Sequence, residues 1–238
     1  MRHTTLLLRE LLDRIRTIKN WPLFVPPLSR FLTKNCTAIL RDGSRIKLRD
    51  THSSDYSVMM EIASKDIYRL KSIKDPSIIL DIGANIGVFT ILAARRFPNA
   101  KVVAVEPQAN NFAALEANVH RNKLSNVELH RVAVSDSYGT TPLFIDDYNH
   151  GGHSIMVSQH GSRVEQVGTV PLRHFGVPDA IKIDCEGAEY TILKEIPDCK
   201  YIGIEIHETG DQQSLVSAII SKGFSVEETA HNVFVFLK

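Results

Sequence analysis

Apolar residues change their period along this chain, and the changes divide it. Leu7, Leu8, Leu11, Leu12, Ile15 and Ile18 recur at helical spacing, with Arg9, Glu10, Asp13, Arg14 and Arg16 between them, which predicts an amphipathic helix. Trp21-Pro22 ends it and Pro26-Pro27 breaks the chain again. Thr37–Leu40 and Arg45–Leu48 flank Asp42-Gly43, a hairpin signal. Ser57 to Leu70 reads as a helix with Val58, Ile62 and Ile67 on its apolar face. From Ser77 the pattern alternates. Strands are expected at Ile78–Asp81, Lys101–Val105, Val127–Val134, Ala180–Ile183 and Tyr201–Ile206, and helices at Gly87–Arg96, Asn110–Asn122, Glu189–Glu195 and Gln212–Lys222.

Near-continuous apolar runs such as Val102-Val103-Ala104-Val105 require a sheet buried on both faces. Their alternation with helices implies parallel strands joined by right-handed crossovers. Phe224–Glu227 and Asn232–Leu237 are separated by only four residues, too few for a helical crossover, so these two strands should be antiparallel. The expected architecture is a Rossmann-like α/β sheet, mostly parallel, with a C-terminal antiparallel strand and helices on both faces. It occupies residues 75–238, behind an N-terminal helix, hairpin and helix extension over residues 1–74. Residues 137–172 are polar and rich in Gly and His. They read as an insertion over the strand ends, where such sheets bind ligands.

Composition changes this picture little. An apolar fraction of 43% with 23% charged residues over 238 residues suits one sizeable domain with a core. A net charge of +1 gives no case for a nucleic-acid partner. Residues 1–41, however, carry eight Lys/Arg against two Asp/Glu. That first helix therefore reads either as a cap or dimer contact, or as peripheral attachment of residues 1–36 to an anionic membrane surface. No apolar run approaches the length of a membrane span, and the Leu6-Leu7-Leu8 run is too short for a signal-peptide core. Cys36, Cys185 and Cys199 show no metal-type spacing. Their odd number suits free thiols in a reducing compartment, and a cytoplasmic location is expected.

Candidate chemistry concentrates at the strand ends. In Ile79-Leu-Asp-Ile-Gly-Ala-Asn-Ile-Gly-Val-Phe-Thr90, a buried strand ends at Asp81, a glycine turn follows, and a helix begins near Gly87. Gly83 permits a tight turn and close approach of backbone to a ligand, and Gly87 lets the helix pack near the strand with its amides facing the crevice. Asp81 is suited to the positively charged part of a ligand. Glu106, in Val105-Glu-Pro107, lies 23 residues beyond Gly83 at the next strand end, where a carboxylate can accept ribose hydroxyls. Together these mark a nucleoside cofactor. The plainer reading, glycines serving only packing, accounts for neither the spacing nor the acid. A dinucleotide and dehydrogenase chemistry are the competing reading, but the turn is Gly-x-Asn-x-Gly and lacks the Gly-x-Gly-x-x-Gly that meets a pyrophosphate.

Five blocks in order resemble the FkbM family of methyltransferases: Asp-Ile-Gly-Ala-Asn-Ile-Gly (81–87), Val-Glu-Pro (105–107), Ala-Val-Ser (133–135), Ile-Lys-Ile-Asp-Cys-Glu-Gly-Ala-Glu (181–189) and Glu205-Ile-His207. The resemblance covers roughly residues 50–238. It implies a class I methyltransferase sheet and S-adenosylmethionine as cofactor. It also implies transfer of a methyl group, usually to an oxygen of a sugar, polyketide or related small metabolite. Asp81, Gly83, Ala84, Asn85, Gly87, Glu106 and Pro107 would hold the cofactor, with Ala133 and Val134 beside its adenine. A non-catalytic adenosylmethionine-binding or scaffold protein is the alternative from another class.

Methyl transfer to a hydroxyl needs the acceptor aligned and its proton removed. Asp184 and Glu205-Ile-His207 end neighbouring predicted strands, about 5 Å apart in a parallel sheet, and Glu205 and His207 share a face. Asp184, Glu205 and His207 are thus the catalytic candidates. They would act either as metal-free proton acceptors or, less in keeping with known ligand spacings, as ligands of a divalent metal. Glu189 has a plainer role as an acidic residue in a first helical turn, and Lys182 reads as a solvated strand end. His150, His153 and Ser154 sit in the insertion, within reach of an acceptor but ordinarily just solvated. Cys185 reads as a small buried residue.

Overall fold

A computed structural model describes residues 2–24, 36–49, 54–145, 163–194 and 196–238. The helices are α1 (Arg2–Thr17), α2 (Asp55–Met60), α3 (Val88–Arg96), α4 (Ala109–Arg121), α5 (Glu189–Ile192) and α6 (Gln212–Ser221). The strands are β1 (Thr37–Ile39), β2 (Arg45–Lys47), β3 (Ile78–Ile82), β4 (Lys101–Val105), β5 (Val127–His130), β6 (Ala133–Ser135), β7 (Gly139–Ile145), β8 (Arg163–Pro171), β9 (Ala180–Ile183), β10 (Tyr201–Glu205), β11 (Ser225–Ala230) and β12 (Val233–Leu237).

A seven-stranded sheet in the order β11-β12-β10-β9-β3-β4-β5 forms the centre. Its strands pair in parallel from β10 through β9, β3 and β4 to β5, and β12 runs antiparallel to both β10 and β11. Side chains alternate between two cores, as a period of two demands. Ile79, Val102, Ala104 and Ala180 point into one with Val88 and Ile91 of α3 and Leu115 of α4. Leu80, Val103, Ile181 and Ile202 point into the other with Ile192 of α5 and Ile219 of α6.

The N-terminal segment joins the first core: Ile18, Ala38, Ile46 and Met59 are buried in it. Among the described residues no helix is long and apolar enough to cross a membrane. Leu7, Leu8 and Leu12 of α1 remain exposed, at 57%, 57% and 39%.

Four expectations need correction. The helix expected over Ser57–Leu70 stops early: α2 passes into a wider turn at Glu61–Lys65, and Asp66 adopts a left-handed φ of 51°. Asp66 Oδ1 accepts the Leu70 N–H at 2.8 Å, offering the backbone an alternative to the helix. The strand expected over Val127–Val134 is two. β5 ends at His130, level with the end of β4 at Val105, and the chain leaves to find a new partner, Ala133 pairing with Thr169. The helix expected over Glu189–Glu195 is the short α5, and Glu195 lies outside the described residues. The insertion is not simply polar loop: β7 and β8 pair antiparallel and, with β6, form a second sheet. His150, His153 and Ser154 lie outside the described residues.

Candidate active site

The C-terminal ends of β3, β4 and β9 border a pocket lined by Gly83, Asn85, Glu106, Pro107, Ala133, Val134 and Asp184 among others. The turn after β3 creates the opening. Gly83 has φ +74°, and a Cβ there would lie 1.8 Å from the Asp184 carbonyl oxygen, so no other residue fits. Gly87, at φ +89°, packs against Leu115, whose Cδ1 would be 2.6 Å from an added Cβ. Asn85 takes a left-handed φ of 50° between them.

Glu106 is 5% exposed at the pocket wall. Its Oε2 accepts the Asn85 N–H at 2.8 Å, and its Oε1 accepts the Gln108 N–H at 3.0 Å and an Asn111 amide hydrogen at 3.4 Å. Burial pushes its pKa up, and these bonds with the charge of Lys182 only partly offset that. Arg49, just past β2, braces the same turn. It clamps buried Asp55 at 2.6 Å and reaches Asn85 Oδ1 at 3.2 Å and Asn111 Oδ1.

Asp81 is placed differently from the expectation that it meets a ligand. It is fully buried beneath the turn and does not line the pocket. Its Oδ2 accepts the Thr90 hydroxyl at 2.5 Å, and its Oδ1 lies 3.4 Å from Lys182 Nζ. Lys182 likewise is no solvated strand end: it is 3% exposed and is the register partner of Asp81 across β3 and β9. Its ammonium donates to the Gly83 carbonyl at 2.7 Å, so the pair ties the glycine turn to β9. Burial pulls the Lys182 pKa down, but Asp81 and Asp184 outweigh that and raise it.

The pocket adjoins a second cavity, sharing Gly83, Asn85, Asp184 and Glu186 and adding Glu61 and Glu205. Asp184 and Glu205 of the expected trio line it, and His207 sits beside Glu205 without lining either cavity. Buried Tyr68 donates to Asp184 Oδ2 at 3.2 Å or to Glu205 Oε2 at 3.4 Å, and Glu205 Oε1 lies 3.9 Å from His207 Nε2. A closer neighbour of His207, not anticipated, is Glu186, with Oε2 3.2 Å from Nε2. The potential metal-ligating set among the described residues is correspondingly Asp184, Glu186 and His207, with donor atoms within 4.8 Å of one another, rather than one including Glu205.

Burial, reinforced for Glu205 by the charge of Asp184, raises the carboxyls of Glu186 and Glu205 to about 7 each. Burial pulls the His207 pKa down, yet the Glu189 hydrogen bond and the charges of Glu189, Glu186 and Asp184 prevail and lift it to about 9. Cys185 lines the pocket, its thiol pushed well up by burial and by Glu189.

A parallel sheet with one antiparallel strand inserted beside the edge, and its ligand pocket at the first two strand ends, is the architecture of class I methyltransferases. Residues 81–237 match the methyltransferase FkbM domain, and the chain belongs to that family. This membership sets it among methyltransferases rather than dehydrogenases. It is 26% identical over 200 residues to Methyltransferase 1 of Beauveria bassiana, spanning 70% of this chain and 79% of the relative. Over 190 residues it is 26% identical to the 31-O-demethyl-FK506 methyltransferase FkbM of Streptomyces tacrolimicus, spanning 63% and 73%. Among solved structures, a methyltransferase from Geobacter sulfurreducens aligns with TM-score 0.46 and 16% identity, over 77% of this chain and 89% of that one.

Proposed function

We propose that this protein transfers a methyl group from S-adenosylmethionine to a hydroxyl oxygen of a small metabolite of glycan or polyketide type. The observation that carries the reading is continuity. One pocket runs from the Gly83 cradle and Glu106 to Asp184 and Glu186, so a ligand gripped at one end presents its other end to the titratable cluster.

The residues fit the cofactor. The cradle leaves no room for a Cβ, and Glu106 carries a buried carboxylate with acceptor capacity beyond its present bonds. Glu106 would accept ribose hydroxyls, Gly83, Ala84 and Asn85 would line the amino-acid end, and Pro107, Ala133 and Val134 would flank the adenine. Asp81 acts indirectly, by holding the turn through Lys182. Bound there, S-adenosylmethionine supplies an activated methyl group. The chain must then orient a hydroxyl and take its proton.

Asp184, Glu186 and Glu205 line the cavity where that hydroxyl would sit, and His207 stands directly behind Glu186 and Glu205. In this cluster the carboxyls of Glu186 and Glu205 are raised to about 7 and His207 to about 9. A proton leaving the acceptor thus has a nearby resting place. The relative named for a 31-O-demethyl substrate supports oxygen as the methylated atom. We favour transfer without a metal, because three carboxylates and one imidazole do not form a diagnostic ligand set and His207 Nε2 already has Glu186 as a partner.

Incubation with methyl-labelled S-adenosylmethionine against hydroxylated glycan and polyketide acceptors, with mass spectrometry of the products, tests the reading. Label should appear on oxygen and persist after exhaustive chelation, and Asp184→Asn should bind cofactor normally yet lose turnover. Label on nitrogen alone, or cofactor binding without any turnover, would overturn it. The second result would favour a binding or scaffold role.

A further inference from the structure

His207 is held on three sides. Its carbonyl accepts the Tyr190 hydroxyl at 3.1 Å and the Thr209 N–H at 2.8 Å. Its Nδ1 lies 3.0 Å from Glu189 Oε1. Glu189, the first residue of α5, has no exposed surface. The same Oε1 accepts the backbone N–H groups of Cys185 at 3.1 Å and Gly187 at 3.2 Å, while Oε2 has no hydrogen-bond partner among the described residues. A first-turn carboxylate that served only its helix would face solvent or the helix amides. This one is turned inward and shares a single oxygen between the β9–α5 turn and an imidazole from the neighbouring strand end.

We propose that Glu189 is a positioning residue that fixes the ring and the tautomer of His207, so that Nε2 is the nitrogen offered to the acceptor hydroxyl. Glu189 Oε1 already accepts two backbone N–H groups, so the nitrogen facing it carries hydrogen. Nδ1–H is thereby committed to Glu189, and the exchangeable site is Nε2, beside Glu186 Oε2 at 3.2 Å and Glu205 Oε1 at 3.9 Å. The second nitrogen of a histidine is commonly set in this way by the hydrogen bond at the first. In the neutral form of the ring, the one able to accept and the minor one below pH about 9, the acceptor O–H bond breaks and an Nε2–H bond forms, with Nδ1–H kept throughout. Besides Glu189 on α5, the charged groups around the ring are Asp184 and Glu186 after β9 and Glu205 at the end of β10. Glu189 differs from them in facing Nδ1.

This inference rests on the O-methyltransferase reading for its purpose, but its test does not need an acceptor. Nitrogen-15 NMR of the imidazoles in chelator-treated full-length protein, with His207 assigned from a His207→Gln variant, reads the tautomer directly. The neutral ring, read above pH 9, is expected as Nδ1–H; Glu189→Gln should lower the His207 titration midpoint by at least one pH unit, and Glu189→Ala should convert a substantial fraction of the neutral ring to Nε2–H. Gln keeps the oxygen that accepts the Cys185 and Gly187 N–H groups, and a Glu189 that served only that turn would leave the His207 tautomer unmoved in both variants. An Nε2–H tautomer in the wild type, an unchanged midpoint in Glu189→Gln, or an unchanged tautomer in Glu189→Ala would overturn the proposal. If Glu189→Gln does not fold, the wild-type tautomer alone decides. Failure of the labelled-methyl assay with the expected NMR result would sink the transfer reading and leave the pairing intact.

Discussion

Replacing Lys182 by Met isolates what holds the glycine turn. The side chain is nearly isosteric, so packing is kept while one buried charge is lost. Asp81 has no exposed surface, and among the described residues its Oδ1 has no hydrogen-bond partner and faces the ammonium of Lys182 at 3.4 Å. Thr90 bonds the other oxygen alone. Removing one member of a buried pair strands the other charge and costs about 3–5 kcal/mol, a large part of the ~5–15 kcal/mol that a domain has. With a urea dependence of roughly 3 kcal/mol/M, the unfolding midpoint should fall by about 1–2 M. Adding Asp81→Asn removes the stranded charge, and the double variant should regain roughly 2 kcal/mol. Urea titrations of wild type, both single variants and the double variant, followed by circular dichroism, measure this. A loss below about 1 kcal/mol for Lys182→Met, or a double variant no better than the single, would refute the assignment of Lys182 and Asp81 as a structural buried pair.

Three further outcomes follow from the same geometry. Gly83→Ala puts a Cβ against the Asp184 carbonyl at a positive φ, so it should lose about 1–3 kcal/mol of stability and should abolish the thermal upshift that S-adenosylmethionine gives the wild type; a full upshift would contradict the cradle. Arg49→Ala strands the buried carboxylate of Asp55 and should cost about 3 kcal/mol, read by urea unfolding; a negligible loss would show that the N-terminal segment does not brace the turn. Between pH 6.5 and about 9 folded His207 retains a proton that the unfolded chain has released. Its contribution is therefore full below the unfolded value and is lost as pH rises through 9. Glu186 and Glu205, raised from 4.5 to about 7, push the same way at lower pH. Stability should fall by on the order of 1–2 kcal/mol from pH 6.5 to 9 after solvent screening, and less in His207→Gln; an identical slope in that variant would remove His207 as the cause.

The features legible in the sequence are those that short stretches determine. Runs such as Val102–Val105 announced a sheet buried on both faces, and the four-residue gap before Asn232 announced an antiparallel end. Gly83 and Glu106 could be placed together because each ends a neighbouring parallel strand.

What escaped depends on register and on contacts between distant segments. Lys182 reads as a strand-end cation until the register sets it opposite Asp81. Glu189 reads as a helix start until the turn after β9 folds it inward onto His207. Arg49 and Tyr68 lie in the N-terminal segment and reach the site only through the tertiary fold. The break after β5 was invisible because Arg131 and Val132 do not interrupt the apolar pattern, and only the end of β4 removes the partner strand. A signal was available in one case: Lys182 and Glu189 sit in the same block as Asp184, and charges that dense within an apolar strand and its turn imply partners.

The nucleoside pocket is tested most directly by calorimetry of the purified protein with S-adenosylmethionine and, separately, with NAD. S-adenosylmethionine should bind and NAD should not, and Glu106→Ala should weaken the binding by about 1–3 kcal/mol, as expected for ribose hydroxyls left unpaired. Binding of NAD instead, or S-adenosylmethionine affinity indifferent to the loss of the Glu106 carboxylate, would contradict the site.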